Sequence, residues 1–221
     1  MFCKNKIILL TLVLCVSNVC VNAQPFINDI QNFNKQDSIN PPLQHAILFV
    51  GSSSFTKWTD VQNYFPSYPI INRGFGGSSF PDVIRYADDI IFPYHPKQVV
   101  IYCGDNDLAF SDSVTSKIVF DRFRKLFELI REKMRGENIV FISIKPSPSR
   151  ARLMPKAEEA NNMIKQFLAA QKNASFVDVY HLMLDKDGKP IDSIFVSDKL
   201  HMNAKGYAIW QKAIEPYLQK N

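Results

Sequence analysis

The feature that most constrains this chain is an alternation of short apolar runs with longer amphipathic stretches. Ala46 to Val50, Pro69 to Ile71, Gln98 to Cys103, Asn138 to Ile144 and Ser175 to Val179 are strand candidates rich in Val, Ile and Phe. Most show no polar alternation, as expected of strands buried on both faces of a parallel sheet covered by helices. Helical stripes lie between them. Val83, Ala87, Ile90 and Ile91 share one stripe, and Val119, Phe123, Leu126, Phe127, Ile130 and Met134 share another, with Gly136 as its stop. Met163, Ile164, Phe167 and Leu168 mark a third helix. Tyr207, Trp210, Ile214, Tyr217 and Leu218 mark a last one, ended or bent near Pro216. This succession predicts a single doubly wound α/β domain with a five-stranded parallel sheet, helices on both faces and right-handed crossovers.

The ends of the chain read differently. Residues 1–23 have the form of a secretory signal peptide: Lys4 and Lys6, an apolar core from Ile7 to Val16, then Val21-Asn22-Ala23 before Gln24. The apolar run is short for a bilayer span, so no membrane anchor is expected after cleavage, and the protein is expected to be secreted or periplasmic. Residues 24–45 form a polar N-terminal arm ending in Pro41-Pro42, with Phe26, Ile30 and Phe33 spaced for a short helix packed on the domain. The domain itself is expected to span 46–221.

Cleavage changes the chemistry open to the chain. The full sequence carries Cys3, Cys15, Cys20 and Cys103 and a formal charge of +5. Loss of residues 1–23 removes three of the four cysteines and two lysines, leaving 198 residues at +3 with Cys103 as the only thiol. An intramolecular disulfide framework is then excluded, and stability must come from a hydrophobic core. The composition, 46% hydrophobic and 21% charged, excludes a disordered or low-complexity chain. No basic block suggests nucleic acid. No His-x-x-x-His or Cys/His cluster suggests a metal, and no cofactor is implied.

Ligands of doubly wound sheets bind beyond the carboxyl ends of the strands. The segments found there are Gly51-Ser52-Ser53-Ser54, Asn72-Arg73-Gly74-Phe75-Gly76-Gly77-Ser78, Gly104-Asp105-Asn106-Asp107, Lys145-Pro146-Ser147-Pro148-Ser149-Arg150, Tyr180-His181 and Asp198-Lys199-Leu200-His201. His45 and His95 precede strands and fall at the opposite edge. The other two histidines each follow an aspartate by three residues, Asp178 with His181 and Asp198 with His201. Such an Asp can hold Nδ1 of the ring and leave Nε2 free to take a serine proton. Asp178 falls within a predicted strand, where residues an odd interval apart face opposite ways; this favours Asp198/His201, in a loop before a helix capped by Asn203. Lys145 and Arg150 read as solvated loop charges, and Cys103 as a buried thiol.

Together, Gly51-Ser52-Ser53, Gly74-Phe75-Gly76-Gly77, Gly104-Asp105-Asn106-Asp107 and Asp198-x-x-His201 resemble the four signature blocks of the SGNH/GDSL hydrolases (GDSL-like lipases and acylhydrolases), in the family order and across essentially all of 46–221. Ser52 stands where the family commonly has Asp. The resemblance implies a flavodoxin-like domain in which Ser53 is the nucleophile, His201 the general base and then acid, and Asp198 its orienting carboxylate. It implies an oxyanion hole of the Ser53 and Gly77 N–H groups and the Asn106 amide, with Gly76 and Gly74 as alternatives to Gly77. These types suit the chemistry, since Asn can donate to a developing oxyanion whereas ionised Asp105 and Asp107 only accept.

The resulting expectation is a secreted serine esterase that cleaves a small acyl ester, with an acetyl group on a carbohydrate as the first choice. The Asn72-Arg73-Gly74 and Gly-Asp-Asn-Asp blocks are similar to the platelet-activating-factor acetylhydrolase-like and carbohydrate-esterase branches. An acyltransferase using the same triad, or a non-catalytic secreted binding module on the same fold, are the alternatives.

Overall fold

A computed structural model describes residues 24–220. Residues 1–23, expected from the sequence to be a signal peptide and carrying Cys3, Cys15 and Cys20, lie outside the described residues. The strands are β1 (Ile47–Gly51), β2 (Ile70–Gly74), β3 (Gln98–Tyr102), β4 (Asn138–Ile142) and β5 (Ala174–Val177). All pairings are parallel, and the order is β2-β1-β3-β4-β5. The chain moves outward from β1 to β2, then crosses back to β3 on the other side of β1. The carboxyl ends of β1 and β3 therefore flank the point where the winding reverses.

Nine α-helices precede, connect or follow the strands among the described residues: α1 (Ile27–Ile39), α2 (Ser53–Thr56), α3 (Val61–Tyr64), α4 (Phe80–Arg85), α5 (Ala87–Ile90), α6 (Asp105–Phe110), α7 (Ser116–Lys133), α8 (Met154–Ala169) and α9 (Ala204–Ile214). The strand parity shows which face each covers. Leu48, Val50, Val99, Ile101, Ile139 and Phe141 pack with Ile30 of α1, Val83 of α4, Ile90 of α5, Phe123 of α7 and Ile164 of α8. Their neighbours Ile47, Phe49, Val100, Tyr102, Val140 and Ile142 pack with Phe55, Val61, Tyr207 and Trp210 from α2, α3 and α9. Each strand thus presents apolar side chains to both layers, which is why polar alternation is missing from its sequence.

The first predicted stripe does not form one helix. Val83, Ala87, Ile90 and Ile91 are all buried, but the backbone leaves the helical region at Tyr86, separating α4 from α5. Tyr86 instead sets its ring edge-on to Phe75 and donates its hydroxyl to the Pro25 carbonyl at 2.6 Å. The last helix closes at Ile214; Pro216 lies in a following 3₁₀ turn that leaves Tyr217 exposed.

Helix α1 is tied to β2 by a part-buried polar cluster. Arg73 pairs with Asp37, donates to the Tyr94 hydroxyl at 2.7 Å, and lies over the Phe33 and Tyr94 rings. Tyr94 in turn donates to Asp37 at 2.6 Å. Burial, reinforced by that carboxylate, pushes the Tyr94 phenol up to about 12.

Candidate active site

Ser53 opens α2 directly after β1. The turn into it depends on Gly51, whose φ is +140° and where an added Cβ would lie 1.9 Å from the Tyr102 carbonyl oxygen. Only glycine lets β1 pass this close to β3. Ser52 occupies the N-cap position without a side-chain capping bond. The Ser53 hydroxyl is free to face the site, and it lies 3.0 Å from His201 Nε2.

The histidine is delivered by a tight turn. Asp198 Oδ1 accepts from the Leu200 and His201 backbone N–H groups at 2.8 and 2.9 Å, while Oδ2 meets His201 Nδ1 at 2.6 Å. Lys199 takes a φ of +57° to make this possible. Asn203 then caps α9 through the Lys205 and Gly206 N–H groups. Desolvation opposes charge on Asp198, but the His201 ring and the two backbone donors outweigh it and hold the carboxyl well below the usual carboxylate range. With Nδ1 bound to a carboxylate, Nε2 is left as the acceptor facing Ser53.

The second Asp-His pair also forms. Asp178 Oδ2 lies 2.8 Å from His181 Nδ1, contrary to the parity argument. Strand β5 ends at Val177, so Asp178 is already in the loop and alternation no longer applies to it. What separates the pairs is the other ring nitrogen: His181 Nε2 faces Glu158 at 3.7 Å, on an exposed surface, whereas His201 Nε2 faces a serine.

Two glycines after β2 keep accessible N–H groups. Gly76 and Gly77 are exposed, and among the described residues neither N–H has a partner within the protein. Gly74 is different, since its N–H donates to Asn72 Oδ1 at 3.0 Å and an added Cβ would meet Phe55 Cβ at 2.5 Å. Gly74 therefore packs the turn against α2 and has no donor to spare. Gly77 has a φ of +86° and would set a Cβ in van der Waals contact with the Phe26 ring at 3.8 Å, whereas Gly76 has nothing within 4 Å.

Asn106 sits in the first turn of α6, after β3. Its amide N–H donates to the Ser78 carbonyl at 3.0 Å, and its Oδ1 accepts from Arg150 at 2.9 Å. Neighbouring Asp107 is fully buried and turned inward, accepting from Arg122 at 2.8 Å and the Phe80 N–H at 3.0 Å. Burial raises its carboxyl above the ordinary value. Burial likewise pushes the Cys103 thiol well up, leaving it little nucleophilic thiolate.

Lys145 and Arg150 are not solvated loop charges. Lys145 is buried, its side chain 1% exposed, and lies 3.7 Å from Asp105; Arg150 reaches the same carboxylate at 3.0 Å. Desolvation lowers the Lys145 ammonium below its usual value, with Asp105 opposing the shift. The pairing partner comes from 40 residues away, so local sequence carries no sign of it.

A cavity of about 540 Å³ between α1 and the β2 edge, lined by Asp37, Leu43, Ile71 and Arg73, contains none of these groups. Here side-chain chemistry, and not volume, locates the site. The sequence pattern of the GDSL-like Lipase/Acylhydrolase family matches residues 49–209. The chain belongs to that family. This acylhydrolase is accordingly a carboxylic ester hydrolase. Solved structures share its fold. A Streptococcus pneumoniae protein provisionally described as a platelet activating factor superposes with a TM-score of 0.74 at 20% identity, over 87% of this chain and 92% of its own. A GDSL-like lipase from Bacteroides thetaiotaomicron gives 0.70 at 20% identity, over 85% and 96%. A variant of an acetyl xylan esterase from Geobacillus stearothermophilus gives 0.62 at 16% identity, over 79% and 95%. No curated protein matches the sequence significantly.

Proposed function

We propose that this acylhydrolase is an exported serine esterase that removes small acyl groups, acetyl first, from a carbohydrate. The observation that carries the serine mechanism is the 3.0 Å approach of His201 Nε2 to Ser53 Oγ, with Asp198 behind the ring. Ser53 Oγ attacks the ester carbonyl while its proton passes to Nε2. The tetrahedral oxyanion is met by the Ser53 N–H, the Gly77 N–H and an Asn106 amide N–H. Collapse expels the alcohol, which takes the proton from His201. Water then attacks the acyl-enzyme by the same route, releasing the acid and restoring Ser53. Gly76 is the alternative backbone donor, since its N–H is as accessible as that of Gly77.

Support for an acetylated carbohydrate comes from the acetyl xylan esterase fold neighbour and from the Gly104-Asp105-Asn106-Asp107 block. Support for export is the charged, apolar and small-residue order of 1–23.

The test is a panel of acetylated xylo-oligosaccharides, p-nitrophenyl acetate and longer-chain p-nitrophenyl esters, with wild type and Ser53→Ala. Ser53→Ala is expected to lose at least about 10³-fold in kcat, and intact-mass analysis should show one acyl group on wild type alone. Retained turnover in Ser53→Ala sinks the serine mechanism. A preference for long acyl chains sinks the substrate assignment. Secreted material that does not begin at Gln24 corrects the cleavage site.

A further inference from the structure

The loop from β4 to α8 carries a contact that the hydrolytic scheme does not use. Arg150 spans 44 residues of sequence to donate from Nη2 to Asn106 Oδ1 at 2.9 Å. Its other terminal nitrogen, Nη1, lies 3.0 Å from Asp105, whose side chain is 7% exposed. Lys145 stands on the same carboxylate, and the Ser149 N–H donates to the Lys199 carbonyl at 3.1 Å. The loop is therefore strapped both to the Asn106 helix and to the turn carrying Asp198 and His201. The space among Asp105, Lys145, Ser147 and Arg150 is about 10 Å³, too small for a substrate group.

A primary amide has one acceptor oxygen and two donor hydrogens in a single plane. Arg150 holds the oxygen of Asn106 and the Ser78 carbonyl holds one hydrogen. Those two bonds fix the plane, and with it the direction of the second hydrogen. A flipped amide would set two carbonyl oxygens against each other at Ser78 and aim Nδ2 at a cation. A charge-assisted bond to Oδ1 also draws electron density from the amide and makes the remaining N–H a stronger donor.

We propose that Arg150 is a positioning residue that orients and polarises the Asn106 amide for the oxyanion, without itself touching substrate. The proposal rests on the oxyanion role given to Asn106 above. Asp105 then draws the guanidinium into place by charge, as an ion pair of its Oδ2 with Nη1, and the Lys145 ammonium shares that same oxygen.

The experiment is a double-mutant cycle on p-nitrophenyl acetate, a neutral probe, using Arg150→Met, Asn106→Ala and the double variant, with Arg150→Lys alongside. Arg150→Met is expected to lower kcat roughly 10- to 100-fold, with KM within about twofold. In the Asn106→Ala background the same change should cost less than about threefold, because its target is gone. Arg150→Lys keeps the charge but loses the fork, and should recover only part of the rate. If Arg150→Met fails to fold by circular dichroism, the cycle is read on Arg150→Lys. Millimolar guanidinium should restore activity to Arg150→Ala and not to the variant that also carries Asn106→Ala. Equal Arg150 effects in both backgrounds overturn the proposal and leave Asn106 in place. A rise in KM alone, growing with substrate negative charge, makes Arg150 a binding residue and also overturns it. Wild-type kcat in Asn106→Ala removes the oxyanion reading itself, and the Arg150 proposal with it.

Discussion

Asp198→Asn probes the carboxylate behind His201 with almost no change in shape. Asn keeps one oxygen for the Leu200 and His201 N–H groups and places an NH₂ where Oδ2 meets Nδ1 at 2.6 Å. Nδ1 must then accept, so the ring proton shifts to Nε2, which faces Ser53 as a donor and cannot take its proton. In a dehydrated triad this tautomer error costs on the order of 10⁴ in kcat. Asp198, however, is 47% exposed, and water can partly restore the working tautomer, so the expected loss is about 10²- to 10³-fold. At 1.36 kcal/mol per decade that is roughly 3–4 kcal/mol of transition-state stabilisation. The assay is initial rates on p-nitrophenyl acetate, with Asp178→Asn as a control expected within about twofold of wild type. A second readout follows from the depressed Asp198 pKa. The stability it contributes is present above the ordinary carboxylate value of about 4 and is lost as pH falls through its lower folded value. Asp198→Asn should therefore flatten the acid limb of stability against pH. A kcat within threefold of wild type, in a variant with unchanged melting, would refute the argument that Asp198 sets the tautomer.

His201→Ala should lose at least about 10³-fold in kcat on the same substrate, while His181→Ala retains wild-type rates; loss only in the latter reverses the assignment. Gly51→Ala forces a Cβ into the Tyr102 carbonyl at a φ of +140° and should cost about 3 kcal/mol or more by urea unfolding, or prevent soluble expression. Asp37→Ala leaves Arg73, 10% exposed, without its carboxylate; a loss of about 2–4 kcal/mol in the same measurement is expected, and an unchanged midpoint would show that α1 is not anchored through this pair.

Sequence legibility tracked how local the physics was. Strands such as Val99 to Ile101 were legible because burial on both faces removes polar residues altogether. Helix α7 was legible because Val119, Phe123, Leu126, Phe127 and Ile130 all face one core. The break at Tyr86 was not, because it answers to Pro25 and Phe75, partners in other parts of the chain. Ser53, Asn106, Asp198 and His201 were legible as blocks, each after its strand. The parity argument against His181 failed, because Asp178 pairs with its histidine as well. Of the two rings it is His201 that meets Ser53, and that contact spans 148 residues. Lys145 and Arg150 were misread for a related reason, since the carboxylate that draws them inward belongs to the β3–α6 junction.

The strand ends have one more consequence, in the order of folding events. Ser53, Gly77, Asn106, Arg150 and His201 follow β1, β2, β3, β4 and β5 respectively, so no two of them are brought together by local structure. Each meets its partners only after the parallel pairing on either side of β1 and β3 has closed loops of many tens of residues, the slow, high-contact-order step of such sheets. Turnover should consequently appear with the last phase of refolding and vanish with the first global opening. A half-assembled sheet has helices but no esterase.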